Sequence, residues 1–365
     1  MAKHSSALLE GITYLPAIRS RQAELRGYRE LRAETKATLR PIVSLGKLGR
    51  VDDPARVLEA INAAAAGTYF LDLNTMPGQQ CAGWEGLCDP ADNYARWRMF
   101  AALSENAIPV ALLQDGALER AFVKQVQALE ASYGIVIARS RRPGRDLGAL
   151  QAALSAVDDV NNLLIVLDFG YIRGAMDVRE TEARQVITAL RTIDGAARIA
   201  ILASSYPRAV TAFGELRGSL EIVERAFHYR LGGDDVAIYG DHASIYPEYF
   251  EPSVSRWVPR IDYCTDNAWI YRRHRDAEVD GKMTSGYVIC ARQITALPEW
   301  EPEFATTAWG AGIIQQTATS GSAPQGFGSP SNWIAARLNM HIERQNALAT
   351  RIGDFDMWSE DDGED

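Results

Sequence analysis

The chain has 365 residues, a formal net charge of −9, 47% hydrophobic residues and 23% charged residues. This composition excludes a disordered, collagen-like or coiled-coil protein, and the acidity argues against a general nucleic-acid coat, which needs a positive field against phosphate. With no run of the ~18 apolar residues a membrane helix requires, and no signal-peptide pattern in MAKHSSALLEGITYLP, a cytoplasmic protein is expected.

Short apolar runs alternate along the chain with segments of helical period. Eight runs are expected as strands: Tyr14–Ile18, Leu39–Leu45, Tyr69–Asn74, Pro109–Leu113, Ile135–Arg139, Leu163–Asp168, Ile199–Ser204 and Ala226–Arg230. Helices are expected between them. Ser20–Lys36 carries Ala23, Tyr28 and Leu31 near one face. Asp53 reads as an N-cap ahead of Pro54 at the first turn. Pro90–Glu105, Ala117–Tyr133, Arg145–Val157, Asp177–Asp194 and Pro207–Val223 complete the series. This is the pattern of an α/β protein with a (β/α)8 TIM-like barrel over residues 1–232. A doubly wound sheet is disfavoured because no Gly-rich phosphate turn follows an early strand.

Beyond Gly232 the rhythm changes. Val236–Ile245 and Ile261–Arg275 read as strand-like or irregular, and Asn332–Leu348 as a helix that could close the barrel late. Residues 233–352 are therefore expected to form a C-terminal appendage. Residues 353–365 hold seven acids and no base, and are expected to be a disordered acidic tail. Without them the body is nearly neutral.

Familiar catalytic signatures are absent: there is no GxxxxGK[ST], GxGxxG, GxSxG or HExxH. The four cysteines, Cys81, Cys88, Cys264 and Cys290, include no CxxC pair and read as reduced thiols. Candidate residues come instead from position, because polar groups at the carboxyl ends of barrel strands point into the ligand face. Arg19, Asp72, Asn74 and Asp168 are the candidate catalytic group. Asp72 and Asn74 share a strand face. Asp168 ends an apolar run, where an unpaired carboxylate would be costly. Two carboxylates suit acid–base work or a divalent cation at Asp72/Asp168; the alternative is a buried ion-pair network. Arg139, Arg141 and Arg142 form an arginine-rich segment suited to phosphate or carboxylate. Ser204 and Tyr229 are further strand-end candidates for ligand binding.

The stretch YLPAIRSRQAE from Tyr14 to Glu24, with Tyr28 and Leu31, resembles the opening of the phage "beta protein" family. Leu39-Arg-Pro-Ile-Val resembles its second strand. Tyr239-Gly240-Asp241 with Ser244-Ile245, and Asn332-Trp333 through His341-Ile342, resemble its later segments. This adds Tyr239, Asp241 and His341 to the candidate ligand residues. The resemblance implies a component of a phage or mobile-element conflict module, of toxin–antitoxin or anti-phage type, with a protein partner encoded nearby. No reaction comes with it. Two functions are therefore expected: binding of a partner or anionic ligand at the barrel mouth, or a barrel hydrolase or lyase acting on a phosphate-bearing or nucleotide substrate.

Overall fold

The computed structural model describes residues 3–116, 118–250, 257–275 and 284–359, without the side chains of 284 and 352–359. The strands are β1 Tyr14–Arg19, β2 Ile42–Leu45, β3 Tyr69–Leu73, β4 Ala107–Ala111, β5 Val136–Ser140, β6 Leu163–Tyr171, β7 Arg198–Ser204, β8 Arg217–Glu221, β9 Ile238–Asp241, β10 Arg260–Cys264 and β11 Ala268–Arg273. Strands β1 to β7 and then β9 form a closed parallel barrel. Seven of the eight expected strand positions are occupied by barrel strands. The expected N-cap is present too: the Asp53 carboxylate accepts the Ala55 N–H at 2.9 Å.

The last crossing differs from the sequence reading. Ala226–Arg230 lies in a helix, Glu224–Arg230, and the expected helix over 207–223 instead contains β8. Glu224, Phe227, His228 and Leu231 are buried, and their spacing is helical. A window of five residues cannot display that period. Strand β8 carries Gly218 where the Tyr271 ring packs too close for a Cβ, and it pairs with β11 outside the barrel. The eighth barrel strand is β9, which sits between β7 and β1 with Ala203 and Pro16 both opposite Asp241. The barrel therefore continues past residue 232.

The appendage is assembled from both sides of that strand. An antiparallel sheet in the order β10–β11–β8 packs with Tyr206, Tyr287, Ile314 and Trp333 in a separate hydrophobic core. Helix Pro330–Ser359 joins the two bodies. Its Leu338, Ile342 and Ala349 pack in the barrel layer, while Trp333, Ala336 and Met340 pack in the appendage core. The helix thus occupies the position of the late barrel helix. Of the acidic tail, residues 360–365 lie outside the described residues, as do the side chains of 353–359.

Close approach fixes this helix. A Cβ on Gly27, in helix Gln22–Arg29, would lie 2.5 Å from the Ala335 carbonyl oxygen. Asn339 bridges the neighbours: its amide donates to Gly27 O (3.3 Å) and its oxygen accepts Gly310 N–H (2.9 Å). Gly27→Ala should therefore destabilise the protein by about 1–3 kcal/mol, the usual cost of overpacking. Urea unfolding followed by circular dichroism checks this, and an unchanged midpoint would contradict it.

Candidate functional site

The carboxyl ends of β1, β2, β3, β5 and β6 place Arg19, Ser44, Asp72, Arg139 and Asp168 together at the barrel mouth. Parallel register aligns Arg19 with Ser44 and Ser44 with Asp72. Arg139 is buried at the centre. It donates through Nη1 to Asp72 (2.8 Å), and through Nε and Nη2 to Asp168 (3.2 and 2.6 Å). A weaker contact reaches Ser44 Oγ at 3.4 Å. The two carboxylates are therefore bridged by a guanidinium, and a divalent cation there would share them with Arg139. Burial works against the ionised groups, but the charges overcome it. His242 and Arg139 hold the Asp168 carboxyl well below the usual range, and Asp168 and Asp72 raise the Arg139 pKa.

Above this strut lies a cavity of about 330 Å³, within the usual size range of small-ligand sites. Arg19, Arg141, Asn74 and His242 line it. Arg19 is held by Glu24, which takes its Nε at 2.9 Å and its backbone N–H at 2.8 Å. Among the described residues, the Arg19 Nη1 reaches only the Met76 sulfur, a weak acceptor, at 3.5 Å. Arg141 donates through Nη2 to Asp72 Oδ2, which also accepts from Arg139. Burial lowers the Arg141 pKa, and Asp72 only partly offsets that. Arg19 and Arg141 thus keep hydrogen-bond donors beyond their carboxylate partners. Asn74 shapes the loop, its side-chain oxygen accepting the Met76 N–H at 2.9 Å.

His242 was missed by the sequence reading. It follows β9, and its Nε2 lies 2.9 Å from Asp168 Oδ1. Reading Val236–Ile245 as the eighth strand would have made it a strand-end candidate. Glu24, on the first helix, was missed as well.

Other candidates lie elsewhere. Tyr229 is 81% exposed on helix Glu224–Arg230, because the strand end that nominated it does not exist. Arg142 pairs with the exposed Asp115 and does not line the cavity. Ser204 is buried and donates to Ile245 O at 2.9 Å, a structural bond below the loop after β9.

Tyr239, Asp241 and His341 do come together, but on the outer wall of the barrel. Tyr239 and Asp241 share the strand face opposite Gly240 and His242. The Asp241 carboxylate accepts from Tyr14 OH (2.8 Å), Tyr239 OH (2.9 Å), Ala243 N–H (2.8 Å) and His341 Nε2 (2.9 Å). Both members of the pair are fully buried. This is a clamp between barrel and closing helix, separate from the mouth.

The clamp has a pH signature. Burial alone would raise the Asp241 pKa, but His341, Tyr14 and the Ala243 N–H outweigh it and hold it at about 2. Burial alone would lower the His341 pKa, but Asp241 raises it to about 10. A lowered carboxylate pKa adds stability above the unfolded value and loses it as pH falls. A raised histidine pKa adds stability below the unfolded value and loses it as pH rises. With ordinary values of about 4 and about 6.5, the pair's contribution is greatest between them. Asp241→Asn should lower stability there and flatten both limbs, as measured by urea midpoints from pH 3 to pH 9. A parallel shift at every pH would contradict this.

Fold and site define an α/β-barrel protein with a charged, arginine-lined pocket at its carboxyl face. The chain belongs to the beta protein family: the family model described as "Beta protein" matches residues 14–347. It is 32% identical over 348 residues to "Protein beta" of Enterobacteria phage P4, covering 94% of this chain and 95% of that protein. Among the described residues, no helix is long and apolar enough to cross a membrane.

Proposed function

We propose that the protein binds a small phosphate-bearing ligand in the barrel mouth. One observation carries this reading: Arg19 and Arg141, each anchored by a buried carboxylate, bring unspent N–H donors to the same cavity. Anchored guanidinium groups lose little freedom when an anion binds, and their forked donors suit phosphate oxygens. The cavity also lies on the face where barrel proteins bind ligands. Arg139 serves differently. Its donors are spent on Asp72 and Asp168, so it holds the site's floor. Titration calorimetry with pyrophosphate tests the reading. Binding should weaken at least about tenfold in Arg141→Ala, equivalent to about 1.4 kcal/mol, and should fall as salt rises. No binding of pyrophosphate or inorganic phosphate would sink it.

A second reading has its own support in the sequence. Seven acids in the last 13 residues form an anionic segment, which could draw a basic partner by long-range attraction. With a phage protein among the relatives, this fits a partner-binding component of a conflict or defence module, the partner being encoded nearby. Deleting residues 353–365 should then weaken association with the neighbouring gene's product and reduce its salt dependence. Equal affinity by calorimetry would remove this reading.

A further inference from the structure

The ligand site contains a group that binding alone does not use. His242 lines the cavity and is 12% exposed, with its Nε2 on Asp168 Oδ1. The other Asp168 oxygen takes two donors from Arg139. With Asp168 an anion, the Nε2 that faces it carries a hydrogen, so the lone pair of the neutral tautomer lies at Nδ1. That nitrogen makes no hydrogen bond among the described residues.

The backbone on both sides of the pair departs from regular geometry. Ala243 and Ser244, directly after His242, have φ of 48° and 61°. Successive non-glycine residues hold that conformation only when their surroundings enforce it. Here the Ala243 N–H donates to Asp241 Oδ1 at 2.8 Å, and Arg337 Nη2 donates to Ser244 O at 3.1 Å. Across the mouth, β6 changes register between Asp168 and Tyr171. Gly170, at φ 61°, there donates its N–H to Asp168 Oδ1 at 3.0 Å. Such irregularities re-aim side chains beside active sites.

We propose that His242, oriented by Asp168, is the general base of a hydrolase acting on a phosphate ester or anhydride held by Arg19 and Arg141. This rests on the phosphate-binding reading above. A water oxygen bonds to phosphorus as one of its protons passes to His242 Nδ1. The bond from phosphorus to the leaving oxygen breaks, and the leaving group keeps the electron pair and departs as an anion. The imidazolium then returns its proton to solvent. Water is the sole co-reactant. Asp168, backed by Arg139, steadies the imidazolium. Arg19 and Arg141 face the charge growing on the phosphoryl oxygens. Glu24, Arg179 and the rim carboxylate Glu248 complete the charged groups that line the cavity. No second acid is needed when the leaving group is itself acidic, which selects anhydrides and aryl esters.

para-Nitrophenyl phosphate and bis(para-nitrophenyl) phosphate are therefore the probes, with pyrophosphate binding followed in parallel by calorimetry. The wild-type protein should release nitrophenolate. His242→Ala should keep its circular dichroism spectrum and its pyrophosphate binding, yet lose about 100-fold or more in kcat with little change in KM. Added imidazole should restore part of that rate, while Arg141→Ala should act chiefly on KM. A His242→Ala protein at the wild-type rate, or one that imidazole does not rescue, overturns the base assignment. Wild-type protein that binds pyrophosphate but cleaves neither probe overturns the hydrolase and leaves the binding reading standing. Absence of binding of both pyrophosphate and inorganic phosphate overturns both.

Discussion

A single buried guanidinium organises the barrel mouth. Arg139 neutralises Asp72 and Asp168 from within hydrogen-bond distance of both, so three strands are tied across the barrel interior. Removing one partner of such a buried pair typically costs about 3–5 kcal/mol. The same arrangement leaves a charged surface for the solvent side. The Asp72 oxygen that takes Arg139 also takes Arg141, and Asp168 has its other oxygen to give His242. The interaction that stabilises the floor therefore also positions the groups above it.

The appendage depends on a similar device on the outer wall. Asp241 gathers four donors from β1, β9, the loop that follows and the closing helix. A second buried ion pair, Arg337 with Asp262, spans helix and appendage sheet at 3.0 Å. Arg337 also grips the turn after His242 through Ser244. The closing helix is thus coupled to the mouth through one short loop. Its packing on Gly27 and its polar clamps set where that loop sits, which gives the appendage a structural bearing on the ligand site.

Much of this was legible in the amino-acid order. Seven parallel strands announced themselves because a strand covered on both faces is continuously apolar. Asp72, Asp168, Arg19 and Arg139 were identifiable as a centre because a polar residue that ends such a run has few places to point. Of the alternatives offered for the two carboxylates, a working pair or an ion-pair network, the hydrogen bonds to Arg139 show the ion pairing. The crossing from β7 to β9 was not legible. Its strand and helix appear in reverse order to the local pattern, because burial of Leu220 and Phe227 is decided by two different cores.

The sequence by itself determined the barrel class, the family and the polar strand ends, since each is written in local periodicity or residue order. Tertiary structure alone decided which polar residues meet. Tyr239 and His242 are three residues apart, yet strand alternation turns one to the outer wall and the other into the mouth. Asp168 and His242 are 74 positions apart and become partners because β9 follows β7 in the closed sheet. Closure is a property of all eight strands at once, and no short window of sequence carries it.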